Sequence, residues 1–223
     1  MACAWIVLGL AKDDRGSDRT GQRQSKAQVG HIAAYTGHMG RALADTAIGL
    51  GCSERTLRRY VNDGVLHGRR IASQLELSSE EESYARSHWT LLRTLKGALR
   101  NERDVRLAIL FGSAAVGEDH PSSDVDLLIV HRRREQRALA GLRMRLRDAL
   151  GKPVHVVGLD QAQRAPSLLA DILAEGRVLI DRDDLWNELA GQYDRVLADA
   201  AQEENVSAAR ARDAVLAARA RIG

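Results

Sequence analysis

Apolar positions along this chain change period several times, and each change marks an element. Val105-Arg106-Leu107-Ala108-Ile109-Leu110-Phe111 is a nearly continuous apolar, β-favouring run that stops at Gly112, which predicts a buried strand entering a tight turn. A short helix starts at Ala114-Ala115, residues 117–123 form a turn-rich connection, and a second apolar strand begins at Asp124-Val125-Asp126. Over 134–151 the period becomes helical, with Leu139, Leu142, Met144, Leu146 and Leu150 largely on one side. Residues 153–157 predict a third strand and 167–173 a short helix ended by Gly176. A last strand over 177–181 completes a βαβ-type unit with additions.

Upstream, residues 41–65 read as helix, tight turn, helix. Leu43, Ala44, Ala47 and Ile48 form an apolar stripe, Gly49-Leu50-Gly51-Cys52 supplies the turn, and Ser53 caps the second helix. Leu57 and Val61 face inward on that helix, which leaves Arg55, Arg58 and Arg59 mainly outside. The stretch 65–70 followed by 75–77 predicts a wing carrying Arg69 and Arg70. Ser79 is expected to cap a helix whose acidic first turn, Glu80-Glu81-Glu82, suits the helix dipole, and whose Trp89, Leu91, Leu92, Leu95 and Leu99 join the two halves. At the other end, Leu185, Leu189, Tyr193 and Leu197 repeat at helical spacing, and the Ala-Arg tail 208–221 is expected to dock on a partner or project.

Composition refines this picture modestly. Among 223 residues, 44% are hydrophobic and 28% charged, as in an ordinary globular protein. The net charge of +3 and isoelectric point near 9.1 are mildly basic, so a nucleic-acid partner has to be argued from local clusters. Cys3 and Cys52 stand far apart and form no CxxC pair, which speaks against a disulfide framework or a zinc site. No run approaches the roughly 18 apolar residues of a membrane span, and the apolar stretch 4–10 lacks a basic region before it. A cytoplasmic protein with no membrane partner is expected. Residues 11–29 are polar and poor in large apolar side chains, which predicts a disordered extension.

The chemistry concentrates in 112–126. Gly112 lets a phosphate approach the backbone, and Ser113 adds a hydroxyl and an amide where the chain turns. Asp124 and Asp126 alternate with Val125, so both carboxylates project from one strand face. Two hard oxygen ligands suit Mg²⁺, and a pair of such ions about 3.5–4 Å apart can clamp an in-line phosphoryl displacement. Asp pairs and Gly-Ser turns also occur as plain strand caps; here strand, Gly-Ser, short helix, turn and strand follow in order, which gives the motif a structural context.

Gly112-Ser113, ten residues, then Asp124-Val125-Asp126, with Ser123 before and an apolar strand after, resembles the nucleotidyltransferases of the DNA polymerase beta superfamily, especially its minimal branch. The resemblance implies a small mixed sheet with flanking helices, a nucleoside triphosphate such as ATP held at Gly112 and Ser113, and two Mg²⁺ ions held by Asp124 and Asp126. Two positions depart from the family pattern. Val116 stands where members often carry Arg, and His155 stands where active members carry a third carboxylate. Imidazole can accept a proton near neutral pH but is a poorer Mg²⁺ ligand, so His155 reads either as a catalytic base or as a strand residue without a role. Asp160 could supply an acid only from the opposite strand face.

Residues 41–65 in turn resemble the helix-turn-helix of bacterial DNA-binding proteins. That resemblance implies double-stranded DNA as partner, with Arg55, Thr56, Arg58 and Arg59 at the major groove and Arg69 and Arg70 on phosphates, and it makes a homodimer the expected assembly. The expected layout is a disordered extension at 1–30, a helix-turn-helix unit at 31–78, a connecting helix at 79–102, a nucleotidyltransferase domain at 103–182 and a helical end at 183–223. In fold class this is an α+β or α/β protein, a small mixed sheet preceded by an all-α or winged unit. The leading expectation is transfer of a nucleoside monophosphate to a hydroxyl acceptor; the resemblance to minimal nucleotidyltransferases implies that this could be a partner protein such as a toxin, modified by an antitoxin-like protein. The alternative is a transcription regulator whose nucleotidyltransferase fold binds nucleotide or protein without catalysis.

Overall fold

The computed structural model describes residues 41–71, 74–132 and 136–220, with side chains excepted at 41, 42, 136 and 213–220. The expected extension at 1–30, the first ten residues of the expected DNA-binding unit, the tip of the wing and Cys3 lie outside the described residues.

A four-stranded mixed sheet forms the centre, its strands lying side by side in the order Val154–Gly158, Val125–His131, Val105–Phe111, Arg177–Asp181. Strands β4 (Val105–Phe111) and β5 (Val125–His131) are antiparallel, β7 (Arg177–Asp181) runs antiparallel on the far side of β4, and β6 (Val154–Gly158) runs parallel to β5. The parallel pair needs a crossover, which α5 (Gln136–Leu150) supplies. Both faces of the sheet are covered, which is why β4 reads as a continuous apolar run and not as an alternation. Ala108, Leu110, Leu127 and Ile129 face α5 and the long helix α3 (Ser79–Asn101). Leu107, Ile109, Phe111 and Leu128 face α7 (Pro166–Glu175), α8 (Leu185–Ala190) and α9 (Tyr193–Ala220).

The N-terminal unit holds a short strand β1 (Arg41–Ala42), α1 (Leu43–Gly49), α2 (Glu54–Asn62) and the antiparallel hairpin of β2 (Gly68–Ile71) and β3 (Gln74–Leu77), in sheet order β1-β3-β2. Ser53 caps α2 as its sequence suggests, its hydroxyl accepting the Thr56 amide at 3.1 Å. Leu57 and Val61 are buried at 0% and 2% exposure and pack with Val65, Leu75 and Leu77 against Trp89 and Leu92 of α3. One apolar cluster thus runs from the N-terminal unit through α3 to the sheet.

Four local expectations are corrected. In α1 the buried set is Leu43, Thr46 and Ala47, an i, i+3, i+4 row on one face, while Ala44 and Ile48, each one position on from a buried residue, face solvent. Ser78, not Ser79, caps α3 by accepting the Glu81 amide. Met144 is exposed at 46%: Leu142 and Leu146 define the inner row of α5, and a residue two positions from each falls on the opposite side. Leu197 is exposed, and Val196 and Ala200 are buried in its place, because the break at Gly191 resets the helical phase between α8 and α9. Residues 201–212 of α9 are exposed along their length. No helix among the described residues is long and apolar enough to cross a membrane.

Candidate functional site

Strand β4 delivers the chain to Gly112 at φ +71°, a left-handed backbone conformation that glycine adopts without strain. The four-residue helix α4 (Ser113–Val116) follows, closed by amides of Gly117 and Glu118 donating to the Ser113 carbonyl at 2.9 Å each. Register places Asp126 opposite Phe111 on one side and His155 on the other. A Cβ on Gly112 would stand 2.8 Å from Asp126 Oδ2, so absence of a side chain is what lets this carboxylate lie against the turn. Asp126 Oδ1 is 3.3 Å from His155 Nδ1. Asp124 sits one residue ahead of β5, exposed, beside buried Val125, as strand alternation requires. Gly112, Asp126 and His155 are therefore brought together at one end of strands β4, β5 and β6, with Ser113 and Asp124 adjacent to them along the chain. Asp160 lies past the end of β6 in α6 (Leu159–Ala162), exposed. Val116 is exposed at 41%.

The loop carrying Asp124 is anchored from α3. His88 Nε2 lies 2.6 Å from Asp119 Oδ1, and Lys152 Nζ lies 3.5 Å from Asp119 Oδ2. Burial pushes the Asp119 carboxyl up, but hydrogen bonding and charge from His88, with Lys152, outweigh it and hold the group below its ordinary range. Within the loop, the Ser123 hydroxyl accepts the His120 amide at 2.8 Å.

Sequence reasoning missed a buried polar cluster behind α4. The Tyr84 hydroxyl donates to the Ala114 carbonyl at 2.9 Å, and Arg177 Nε donates to the Ala115 carbonyl at 2.6 Å. Burial pushes the Tyr84 hydroxyl far above its ordinary value, which keeps it a donor. Arg177 is 4% exposed, and its guanidinium forms a fork with Glu81, at 2.5 and 3.1 Å. The only advance signal was an arginine opening an otherwise apolar strand. Beside this cluster lies a groove of about 470 Å³, lined by Ser83, Ser87, His88, Val116 and Gly117 among others. It borders α4 but neither aspartate.

Residues 93–185 match the family described as polymerase beta, nucleotidyltransferase. They carry a nucleotidyltransferase domain of that type. The match starts inside α3 and ends at the start of α8, so it takes in the whole four-stranded sheet and both aspartates. No curated protein matches the sequence. Solved structures similar to this chain include a toxin-antitoxin complex with AMP-PNP, at 21% identity over 54% of this chain and 98% of that one, TM-score 0.46. Others are the MntA-HepT toxin-antitoxin complex, at 19% identity over 56% and 98%, TM-score 0.44, and the tri-AMPylated Shewanella oneidensis HEPN toxin with its MNT antitoxin, at 18% over 56% and 98%, TM-score 0.44.

A nucleotidyltransferase domain of this type implies Mg²⁺, and the residues present fit it. The glycine cradle leaves Asp126 open toward the turn, and its partner Asp124 is a second hard oxygen donor. Among the described residues no three His, Cys, Asp or Glu side chains converge as a metal site of their own.

Outside the nucleotidyltransferase domain, Arg55, Arg58 and Arg59 line the exposed face of α2, with Thr56 half-buried at the Ser53 cap. Arg58 is paired with Glu54 at 2.5 Å. Arg69 and Arg70 stand exposed on β2, which packs on α2 so tightly that a Cβ at Gly68 would meet Val61 Cγ1 at 2.6 Å.

Proposed function

We propose that this protein transfers a nucleoside monophosphate from a nucleoside triphosphate, ATP first among them, to a hydroxyl on a partner protein, and that its N-terminal unit binds double-stranded DNA. The observation that carries the first part is the Asp126 carboxylate lying against the Gly112 turn within the matched domain. The turn offers its backbone and the Ser113 hydroxyl to the triphosphate. Asp124 and Asp126 would hold Mg²⁺, which would supply charge stabilisation at the α-phosphate. The acceptor oxygen bonds to the α-phosphorus, the bond from that phosphorus to the β-bridging oxygen breaks, and pyrophosphate leaves. His155, exposed and 3.3 Å from Asp126, would take the acceptor's proton. The acceptor class is a protein hydroxyl such as that of a toxin, which would make this chain antitoxin-like.

Incubation of the full chain with labelled ATP, Mg²⁺ and host lysate tests the transfer. Label should appear on a partner protein, and Asp126→Asn should reduce it about 100-fold or more. His155 and Val116 favour a second reading, a regulator that binds nucleotide without turnover. Wild type devoid of transfer, with His155→Asp gaining it, would establish that reading in place of the enzyme.

DNA binding is supported by a capped α2 with three exposed arginines, a tight turn before it and an adjacent basic strand.

A further inference from the structure

The groups that hold α4 in place also hold the root of the hairpin. Arg177 Nη1 donates to the Val65 carbonyl at 3.3 Å as well as to Glu81, and the His67 amide donates to Glu81 Oε1 at 2.8 Å. Val65 and His67 lead directly into β2. On the other side, Arg177 Nε and the Tyr84 hydroxyl take the carbonyls of Ala115 and Ala114. A helix this short satisfies few of its own terminal carbonyls, so its placement depends on these two donors. The Tyr84 ring packs on the Arg177 guanidinium, whose central carbon lies 3.4 Å from the ring centroid, and this fixes the fork in one orientation. Continuing along the same edge, the Val178 amide donates to the Gly64 carbonyl at 3.0 Å.

A buried ion pair adds little net stability over apolar packing of the same shape, so stability alone is a weak reason for this cluster. Its position is more informative: one guanidinium bonds both to the segment that follows Gly112-Ser113 and to the segment that enters β2. We propose that Arg177, clamped by Glu81 and flanked by Tyr84, is a positioning residue of the nucleotide site that ties the Gly112-Ser113 turn to the root of the β2 hairpin. Nucleotide binding and the N-terminal unit then report on each other, because any displacement of the turn is passed to the hairpin root through two side chains. This rests on the reading of Gly112-Ser113 as the phosphate site.

Calorimetric titration of the full chain with AMP-PNP and Mg²⁺, combined with hydrogen exchange, tests it. Tyr84→Phe deletes only the bond to Ala114 and should weaken AMP-PNP about five- to tenfold, with faster exchange over 114–118 and a thermal midpoint within a few degrees of wild type. Glu81 itself bonds to neither the turn nor a nucleotide, yet Glu81→Gln should weaken AMP-PNP and speed exchange at both 114–118 and 65–68. In wild type, AMP-PNP should slow exchange at 65–68, and in Glu81→Gln it should not. Unchanged AMP-PNP affinity in Tyr84→Phe, or a hairpin root that ignores nucleotide in wild type, overturns the positioning role. Wild type that binds no AMP-PNP overturns the nucleotide reading itself, and the inference with it.

Discussion

Gly112 shows how much one missing side chain can decide. Its φ of +71° and the 2.8 Å approach of Asp126 Oδ2 to its virtual Cβ are separate penalties for any larger residue. Gly112→Ala should therefore destabilise the fold by about 1–3 kcal/mol and displace the carboxylate, read as a lower thermal midpoint together with loss of label transfer. Asp119 acts on the same site from the loop, through His88 and Lys152, with Tyr84 close by. Its folded value lies below the ordinary 3.8, so its contribution to stability is full above that pH and is lost as pH falls through the lower folded value. Asp119→Asn should remove that contribution, lowering stability at neutral pH and flattening the acid limb of a pH-stability profile. A limb of unchanged slope would contradict the pairing. The Gly-Ser turn and the two aspartates were legible because they are close in sequence. The pairing of His88 with Asp119, 31 positions apart, was not.

At the level of elements, strand limits were read well where apolar runs end on glycine or on charge, and β4 and β7 fall where their runs do. Helix faces were read less well. Apolar content alone put Ile48, Met144 and Leu197 inside, yet neighbours choose a face and leave the surplus apolar residue outside. Helix α2 is the element whose exposed face invites a direct test. Replacing Arg58 and Arg59 with Ala should weaken the proposed DNA binding and reduce the slope of log affinity against log salt by about one for each phosphate no longer neutralised, measured by anisotropy across a salt series. The cost to stability should be small, because the pair that Arg58 makes with Glu54 is exposed, both side chains being near half exposure.

Over the whole molecule, α3 is the common wall of the N-terminal unit and the sheet. Trp89 and Leu92 meet the former, Leu95 and Leu99 continue the same cluster, and Lys96 bonds to both Asp63 and the Leu179 carbonyl. Burial pulls the Lys96 ammonium below its ordinary range, against the opposing pull of Asp63, so this link is polar but largely shielded. Leu95 is fully buried, and Leu95→Ala should cost about 2–5 kcal/mol. Calorimetry should show the N-terminal unit and the sheet losing stability together in a single transition. Separation into two transitions would show that the shared cluster does not couple them.

The sequence by itself determined the βαβ core, the glycine turn and the carboxylate pair, because periodicity and close spacing are local properties that survive without a partner. It also singled out His155, which stands where the family resemblance leads one to expect a third carboxylate. Only the tertiary structure decided that His155 lies 3.3 Å from Asp126, that Glu81 of the helix start becomes the clamp on Arg177, and that the hairpin root and α4 share one guanidinium. Those contacts join residues 29 to 112 positions apart, and a buried charge chooses its partner by the pairing left available once the elements have packed.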